Sequence, residues 1–385
     1  MANRLFSIEK IVDLTRHATC GGVPDGVDAV LLSRVPATGG PLLHVARDDA
    51  RMARLVELLG FVAPRLRVLT FPAWDCVPYD RVSPNPEIVA RRLDTLSRLQ
   101  GGSAADLVVT TVSAVLQRVP PRASLAGATL AARVGEDVPQ DRLLRYFADN
   151  GYHRAATVRE PGEFAVRGGI VDVFPPGEAE PLRLDFFGDE LEAVRRFDAM
   201  SQRTTGSEEQ VELRPVSEAP LTDTSIQRFR HGYRELFGTA HGTDPLYEAI
   251  SAGQRHVGME HWLPLFHDRL ETLFDYLPEA VVTLDHQVEQ AVQARLDLIA
   301  EYYDARRELM PAGQREARDS AASAPPYYPV PPERLFLTGE DWHGALERLR
   351  VVSFAPFVPP GEGEKAFDAG GRRVRDLSLI HISEP

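Results

Sequence analysis

Apolar and polar residues alternate along the stretch from residue 163 to residue 198, where short segments are separated by turn residues. A period of two residues is typical of half-buried strands, and short strands broken by glycine and proline favour an antiparallel meander. Gly188 and Asp189 fit the two-residue turn of a β-hairpin, because glycine adopts the positive φ that the first turn position needs. The pattern therefore predicts a small antiparallel sheet.

The same alternation assigns the side chains of this sheet to two faces, because successive side chains of a strand point to opposite sides. Two adjacent phenylalanines, Phe186 and Phe187, cannot then both be buried. We predict an outer face that carries two cations and one aromatic ring: Arg167, Arg183 and Phe187. Such a group is typical of interface anchors. The alternative is a solvated strand face with one exposed phenylalanine.

The rest of the chain alternates apolar strands with helices. Buried strands are predicted from three apolar segments: residues 42–46, 68–71 and 106–112. A helix capped by Asp48 or Asp49, with Arg51 on its polar side, follows the first of them, and a second helix is predicted at residues 87–99. Buried strands followed by helices predict a doubly wound α/β module with parallel strands.

Composition divides the chain into successive units. We expect an α/β module in two halves with the antiparallel α+β domain inserted between them. A proline-rich linker and the start of a further α/β domain follow, and the last residues look like non-native sequence beyond which the natural chain continues. The expected boundaries are 1–128, 129–214, 215–319, 320–333, 334–377 and 378–385.

A proline-rich loop at residues 71–86 carries Trp74 and Tyr79. Aromatic rings on such a loop can stack on the bases of a nucleic acid. Aromatic residues beside prolines, however, more often anchor a loop on the core. We therefore expect both rings to be packed against the protein.

Composition narrows the function classes. The 385 residues are 43% hydrophobic and 26% charged, with no apolar segment long enough to span a membrane and no secretory signal, so we expect a cytoplasmic protein without a membrane partner. Cys20 and Cys76 lack the spacing of a disulfide framework or a zinc site. A net charge of −13 opposes binding to a phosphate backbone, which makes a protein partner more natural than DNA for this chain.

The motifs of a nucleotide-binding site are degenerate. The loop that precedes the first strand contains Gly39 and Gly40 but no Gly-Lys-Ser/Thr sequence, so it has no cation to neutralise a phosphate. After the strand at residues 281–284, Asp285 is followed by His286 where an ATPase has a second carboxylate. We expect no catalytic residue, no metal site and no cofactor in this chain.

Several long segments resemble the bacterial transcription-repair coupling factors (Mfd). They include FPAWDCVPYDRVSPNPEIVARRLDTLSRL, DLVVTTVSAVLQRVPP, EFAVRGGIVDVFPPG, PLRLDFFGDELEAVRRFDAMSQRT, GMEHWLPLF and LFDYLPEAVVTLDH. The resemblance covers residues from about 26 to 350 and keeps the same order, so it is specific. It implies a module similar to the excinuclease protein UvrB with a degenerate nucleotide site, interrupted by an inserted domain.

The resemblance also implies a partner. The inserted domain of this family binds the excinuclease protein UvrA, and its binding residues correspond to Arg167, Arg183 and Phe187. The parent proteins resemble ATP-dependent DNA translocases that recruit nucleotide excision repair to stalled RNA polymerase. ATP, Mg²⁺, DNA and RNA polymerase are expected to bind domains that lie beyond residue 385, one of which masks the UvrA-binding surface.

Two other functions remain open from the sequence. A UvrB-like excinuclease component shares the same segments, but it has an intact phosphate loop and a longer, tyrosine-rich hairpin where this chain has the loop at residues 71–86. An active helicase or ATPase is the other alternative. Nucleotide hydrolysis by this chain would distinguish these enzymes from an adaptor.

Overall fold

The structure, a computed structural model, describes residues 16–34, 41–102, 105–238, 244–308, 327–357 and 366–371. Its strands are β1 (His17–Gly21), β2 (Leu42–Ala46), β3 (Val68–Phe71), β4 (Leu107–Thr111), β5 (Leu130–Arg133), β6 (His153–Arg154), β7 (Glu163–Arg167), β8 (Ile170–Val173), β9 (Leu182–Phe187), β10 (Glu190–Phe197), β11 (Thr204–Glu208), β12 (Gln210–Leu213), β13 (Val281–Leu284), β14 (Arg350–Phe354) and β15 (Ala366–Asp368). The α-helices are Val27–Leu32, Asp49–Val62, Pro86–Gln100, Val112–Val115, Arg122–Ala126, Gln140–Asn150, Asp223–Phe237, Pro245–Ser251, Leu273–Tyr276, Val288–Glu308, Pro332–Leu335 and Gly339–Arg348, and Met259–Leu265 is a 3₁₀-helix.

Seven strands form a parallel sheet in the order β15-β1-β14-β13-β2-β4-β3. Helices cover both faces, as alternate residues of β2 show. Leu43 and Val45 enter one hydrophobic core, whereas Leu42 and Ala46 enter the core on the other side. Burial on both faces explains why these strands are continuously apolar, and the predicted α/β class is confirmed.

The helix Asp49–Val62 begins as the sequence predicts, but one of its side chains lies elsewhere. Asp48 is the N-cap, and its side chain accepts a hydrogen bond of 2.7 Å from the backbone N–H of Arg51. Arg51 was expected on the polar side of this helix and is instead buried. Its position matters for the degenerate nucleotide site described below.

The strand order corrects the predicted C-terminal boundaries. β14 lies between β1 and β13, paired in parallel with both, and β15 pairs with β1. The strands described within residues 334–377 therefore complete the first sheet and do not begin a further α/β domain. Tyr327 and Val330, at the end of the predicted linker, are buried in a helical core around Trp262. The part of the linker that the structure describes is therefore packed against the protein. Residues 372–385, which include the expected non-native tail, lie outside the described residues.

The inserted segment forms a second, antiparallel unit. Six strands are ordered β11-β10-β9-β8-β7-β6, and all of their pairings are antiparallel except that of β6 with β7. The helix Gln140–Asn150 contributes Leu143 and Phe147 to the core on one face of this sheet. Beside it, β12 pairs with β5. The predicted meander is confirmed.

The loop at residues 71–86 is anchored as predicted. Trp74 and Tyr79 are both buried, and they belong to the same helical core as Trp262. Their rings are therefore not available to stack on bases. Among the described residues, no helix has the length and apolar character needed to cross a membrane.

Candidate partner-binding surface and degenerate nucleotide site

The hairpin of β9 and β10 places the predicted surface residues. Gly188 and Asp189 form its two-residue turn, and Gly188 has a φ of 65°, a conformation that glycine adopts without strain. The inward residues of β9 are buried, as expected: Leu182, Leu184 and Phe186. Phe187, at the end of the strand, is 75% exposed.

Arg167 and Arg183 lie on the same face but differ in environment. The Arg167 side chain is half exposed; its Nη2 donates to the carbonyl of Ala156 at 2.9 Å, and its Nη1 lies 3.8 Å from Asp172. Arg183 is only 20% exposed and donates from Nε and Nη2 to the two carboxylate oxygens of Asp172, at 2.7 and 2.9 Å. The structure thus places all three predicted residues, which we call the hairpin surface (Arg167, Arg183 and Phe187), on one face of the sheet.

Arg183 is held in place from below. Its guanidinium carbon lies 4.7 Å from the ring centroid of Phe197, a cation–π distance. Phe197 is buried in a small core with Val158, Ala165 and Phe174. The hydrogen bonds to Asp172 raise the pKa of Arg183, so this guanidinium stays charged. Phe197 and Asp172 therefore fix its orientation before any partner arrives.

At the candidate degenerate nucleotide site, an arginine side chain of the protein itself lies beside the acidic residue. Asp285 follows β13 at the carboxyl edge of the parallel sheet, where ligands bind in open α/β sheets. Its carboxylate lies 3.2 Å from Nε of Arg51, and Nη2 of the same guanidinium donates to the carboxylate of Asp28. Arg47 is 3.9 Å away. Burial lowers the pKa of Arg51, but the carboxylates of Asp28 and Asp285 outweigh this effect and raise it.

The other residues predicted for the nucleotide site are His286, Gly39 and Gly40. His286 is half buried, and its backbone N–H donates to the Asp285 carboxylate at 2.8 Å. Gly39 and Gly40 lie outside the described residues. No cluster of three residues able to hold a metal ion occurs in the part of the chain that the structure describes. Asp285 is thus neutralised by the protein's own arginine.

Comparison with known proteins places this geometry in a family. Residues 130–218 match the UvrB interaction domain. Curated transcription-repair-coupling factors match most of the chain: 34% identity over 342 residues in Haemophilus influenzae, 33% over 342 residues in Escherichia coli and 35% over 372 residues in Myxococcus xanthus. These alignments cover 88%, 88% and 90% of this chain. The chain belongs to the transcription-repair-coupling factor family.

The chain spans only part of the coupling factors that it matches. The alignments cover 28% of the Haemophilus influenzae and Escherichia coli proteins and 29% of the Myxococcus xanthus protein. The match to the UvrB interaction domain coincides with β5 to β12, which form the antiparallel unit that carries the hairpin surface. The family and the fold therefore agree on the extent of the inserted unit.

Sequence reasoning missed two residues of these sites. Asp172, which holds Arg183, is on β8, and the connection at residues 174–181 is too irregular to predict its register with β9. Alternation assigns side chains to faces, but it does not give their partners across the strands. Arg51 was missed because its spacing on the helix fits a polar side chain, and no signal in the sequence pairs it with Asp28 and Asp285.

Proposed function

We propose that this chain is the part of a transcription-repair coupling factor that binds the excinuclease protein UvrA through the hairpin surface. The observation that carries the proposal is Phe187, which is 75% exposed beside fixed and exposed arginines on a unit that matches the UvrB interaction domain. A large aromatic side chain at the end of a hairpin, with two arginines on the same face, is the combination typical of interface anchors. Its function is to be buried by a partner.

The chemistry of the surface favours a protein partner with carboxylates around an apolar pocket. Phe187 fills the pocket and excludes water, which strengthens the charged hydrogen bonds that surround it. Arg167 is exposed enough to donate to a partner carboxylate, and a guanidinium can do so with two parallel bonds. Arg183 uses Nε and Nη2 on Asp172, so Nη1 is the group that it can offer.

The activities of the whole coupling factor extend this proposal. Bound UvrA would bring nucleotide excision repair to a stalled RNA polymerase, while other parts of the protein bind the polymerase and DNA and use ATP and Mg²⁺ for translocation. In this chain, Arg51 pairs with the carboxylate that would otherwise hold Mg²⁺. This pairing supports the role of an adaptor without nucleotide hydrolysis.

Binding of purified UvrA, measured by calorimetry, tests the proposal. We expect Phe187→Ala to weaken the complex by about thirtyfold, the loss of roughly 2 kcal/mol that a central anchor typically causes. Met200→Ala is the matched control, since Met200 is an apolar residue that is 80% exposed in the turn after β10. Absence of binding by the unchanged chain, or equal affinities of the Phe187 and Met200 variants, contradicts the proposal.

ATP turnover tests the second half of the proposal. The chain is expected to hydrolyse ATP no faster than a buffer blank containing Mg²⁺. Arg51→Ala serves as a comparison, because it frees Asp28 and Asp285 without supplying a phosphate loop. Turnover by the unchanged chain would overturn the adaptor role and favour a UvrB-like or helicase-like enzyme.

A further inference from the structure

The register of the antiparallel sheet adds neighbours to the hairpin surface. Ile170 on β8 lies directly opposite Arg167 on β7 and opposite Asp185 on β9. Arg195 on β10 lies directly opposite Arg183. Residues directly opposite on adjacent strands point to the same side of a sheet. Ile170 and Arg195 therefore share the outer face with Arg167, Arg183 and Phe187.

Ile170 is the second apolar side chain of this face. It is 38% exposed, although the other residues of β8 are buried. A single exposed apolar residue needs no explanation. Ile170 and Phe187, however, lie on neighbouring strands close to the same hairpin ends, and the turn between β7 and β8 consists of Gly168 and Gly169, which add no side chain to the space beside them. By register they are diagonal neighbours, because Ile170 lies opposite Asp185, two residues before Phe187 on β9.

Arg195 is an exposed cation that makes only a weak ion pair, with Asp185. Its side chain is half exposed, and Nη2 lies 3.2 Å from the Asp185 carboxylate. That contact lacks hydrogen-bond geometry, because the same oxygen of Asp185 has no donor among the described residues. Arg195 also lies opposite another arginine, an arrangement that normally costs stability. Unlike Arg183, it keeps its hydrogen-bond donors for a partner.

Strand order and register together place the exposed groups of this face. Arg195 on β10 lies level with Arg183 of β9, whereas Arg167 on β7 and Ile170 on β8 lie level with Asp185, two residues closer to Phe187 at the end of β9. One cation therefore lies beside Ile170, and the other lies beside Arg183. Three strand spacings of about 4.8 Å, with an offset of two residues of about 3.4 Å each along the strands, separate the two arginines by roughly 16 Å. We infer that Ile170 and Arg195 are specificity-determining contacts for UvrA, which presents an apolar pocket with a carboxylate on each side. This inference rests on the proposed function of the hairpin surface.

Two substitutions test the inference in the full chain by calorimetry with purified UvrA. Ile170→Thr keeps a β-branched side chain suited to a strand and should weaken binding about tenfold. Arg195→Gln should weaken binding about fivefold and reduce the dependence of affinity on salt, since one charged contact is lost. Circular dichroism and thermal unfolding should match those of the unchanged chain, because both side chains are exposed. Ile170→Tyr is a second variant that tests the same contact by added volume.

Matched controls lie on the same domain, one in the turn after β10 and one on a helix. Met200→Thr removes an exposed apolar residue, and Arg142→Gln removes an exposed cation on the helix that packs against the opposite face of the sheet. Both should bind within twofold of the unchanged chain. If the unchanged chain binds and Phe187→Ala weakens binding while the Ile170 and Arg195 variants bind normally, the inference is wrong and the proposed function stands. If the unchanged chain does not bind, the proposed function itself fails.

Discussion

At the scale of single residues, Arg183 combines a structural role with a proposed binding role. Asp172 is only 2% exposed, and two hydrogen bonds from Arg183 compensate its charge. A buried carboxylate that loses its partner suffers a desolvation cost that a surface residue does not. Replacement of Arg183 therefore cannot report on partner contact alone, whereas replacement of the exposed Phe187 can.

We expect Arg183→Ala to lower the free energy of unfolding of the inserted domain by about 1–3 kcal/mol. The double variant Arg183→Met with Asp172→Asn should recover much of this loss, since it removes both charges and keeps an apolar stem over Phe197. Urea unfolding monitored by circular dichroism measures both variants. Equal stability of Arg183→Ala and the unchanged chain would show that Asp172 does not depend on this bond.

Two buried histidines should make the stability depend on pH. Burial lowers the pKa of His44 to about 4, and that of His261 to about 4, from an ordinary value of 6.5. The unfolded chain therefore binds more protons between these values, so stability is full above pH 6.5 and is lost as the pH falls towards 4. At pH 5 the loss should be about 2 kcal/mol for each histidine.

Chemical unfolding at pH 7.5 and pH 5.0 tests this expectation. His44→Gln should reduce the difference between the two pH values, because glutamine does not titrate in this range. The imidazole of His44 contacts the hydroxyl of Thr283 at 2.9 Å, so glutamine retains a hydrogen-bonding group there. A stability that stays constant from pH 7.5 to pH 5.0 would contradict the assigned pKa directions.

At the scale of elements, a buried ion pair fixes the helix Pro86–Gln100 to the segment that leaves the inserted domain. Nε of Arg92 donates to Glu218 at 2.5 Å, and both side chains are fully buried. Trp74 also donates to Glu218, at 3.3 Å, and the Arg92 guanidinium lies 4.2 Å from the ring of Phe71. These contacts join the parallel sheet, the loop at residues 71–86 and the exit of the inserted domain.

Arg92→Met should destabilise the protein by about 3–5 kcal/mol, because it leaves the Glu218 charge buried without a cation beside it. The double variant Arg92→Met with Glu218→Gln removes both charges and keeps an acceptor for Trp74, so it should regain most of the lost stability. Arg91→Met on the same helix is the control, since the ion pair of Arg91 with Glu87 is exposed. A double variant no more stable than Arg92→Met would argue against the uncompensated charge as the cause.

At the scale of the whole molecule, the parallel sheet depends on residues that are far apart in sequence. β14 lies between β1 and β13, and β15 pairs with the other edge of β1. A chain that ends at residue 333 should therefore lose its cooperative thermal transition, because β1 would lose both of its neighbours and β13 would lose one. A chain that ends at residue 371 is the control and should unfold like the unchanged protein. If the shorter chain unfolds cooperatively at the same temperature as the unchanged protein, the domain boundary predicted after residue 333 is correct.

The sequence alone determined those features of the fold that depend on residues close together in the chain. The period of two placed Phe187 outside and Phe186 inside, the glycine of the hairpin turn fixed where β9 ends, and the apolar segments gave β2, β3 and β4. The aromatic residues of the proline-rich loop were also placed correctly in the core. Each of these features follows from local backbone geometry and burial, which a short stretch of sequence encodes.

Only the tertiary structure decided which distant residues meet. The pairing of Arg183 with Asp172 depends on a register set across an irregular connection, and that of Arg51 with Asp285 joins a helix to the end of a strand more than two hundred residues away. The place of β14 in the sheet has the same origin, because the order of parallel strands is set by how helices pack on both faces and not by the strands' own residues. The alternation of residues along a strand determines which face of the sheet each side chain occupies, whereas tertiary packing determines which distant residue it contacts.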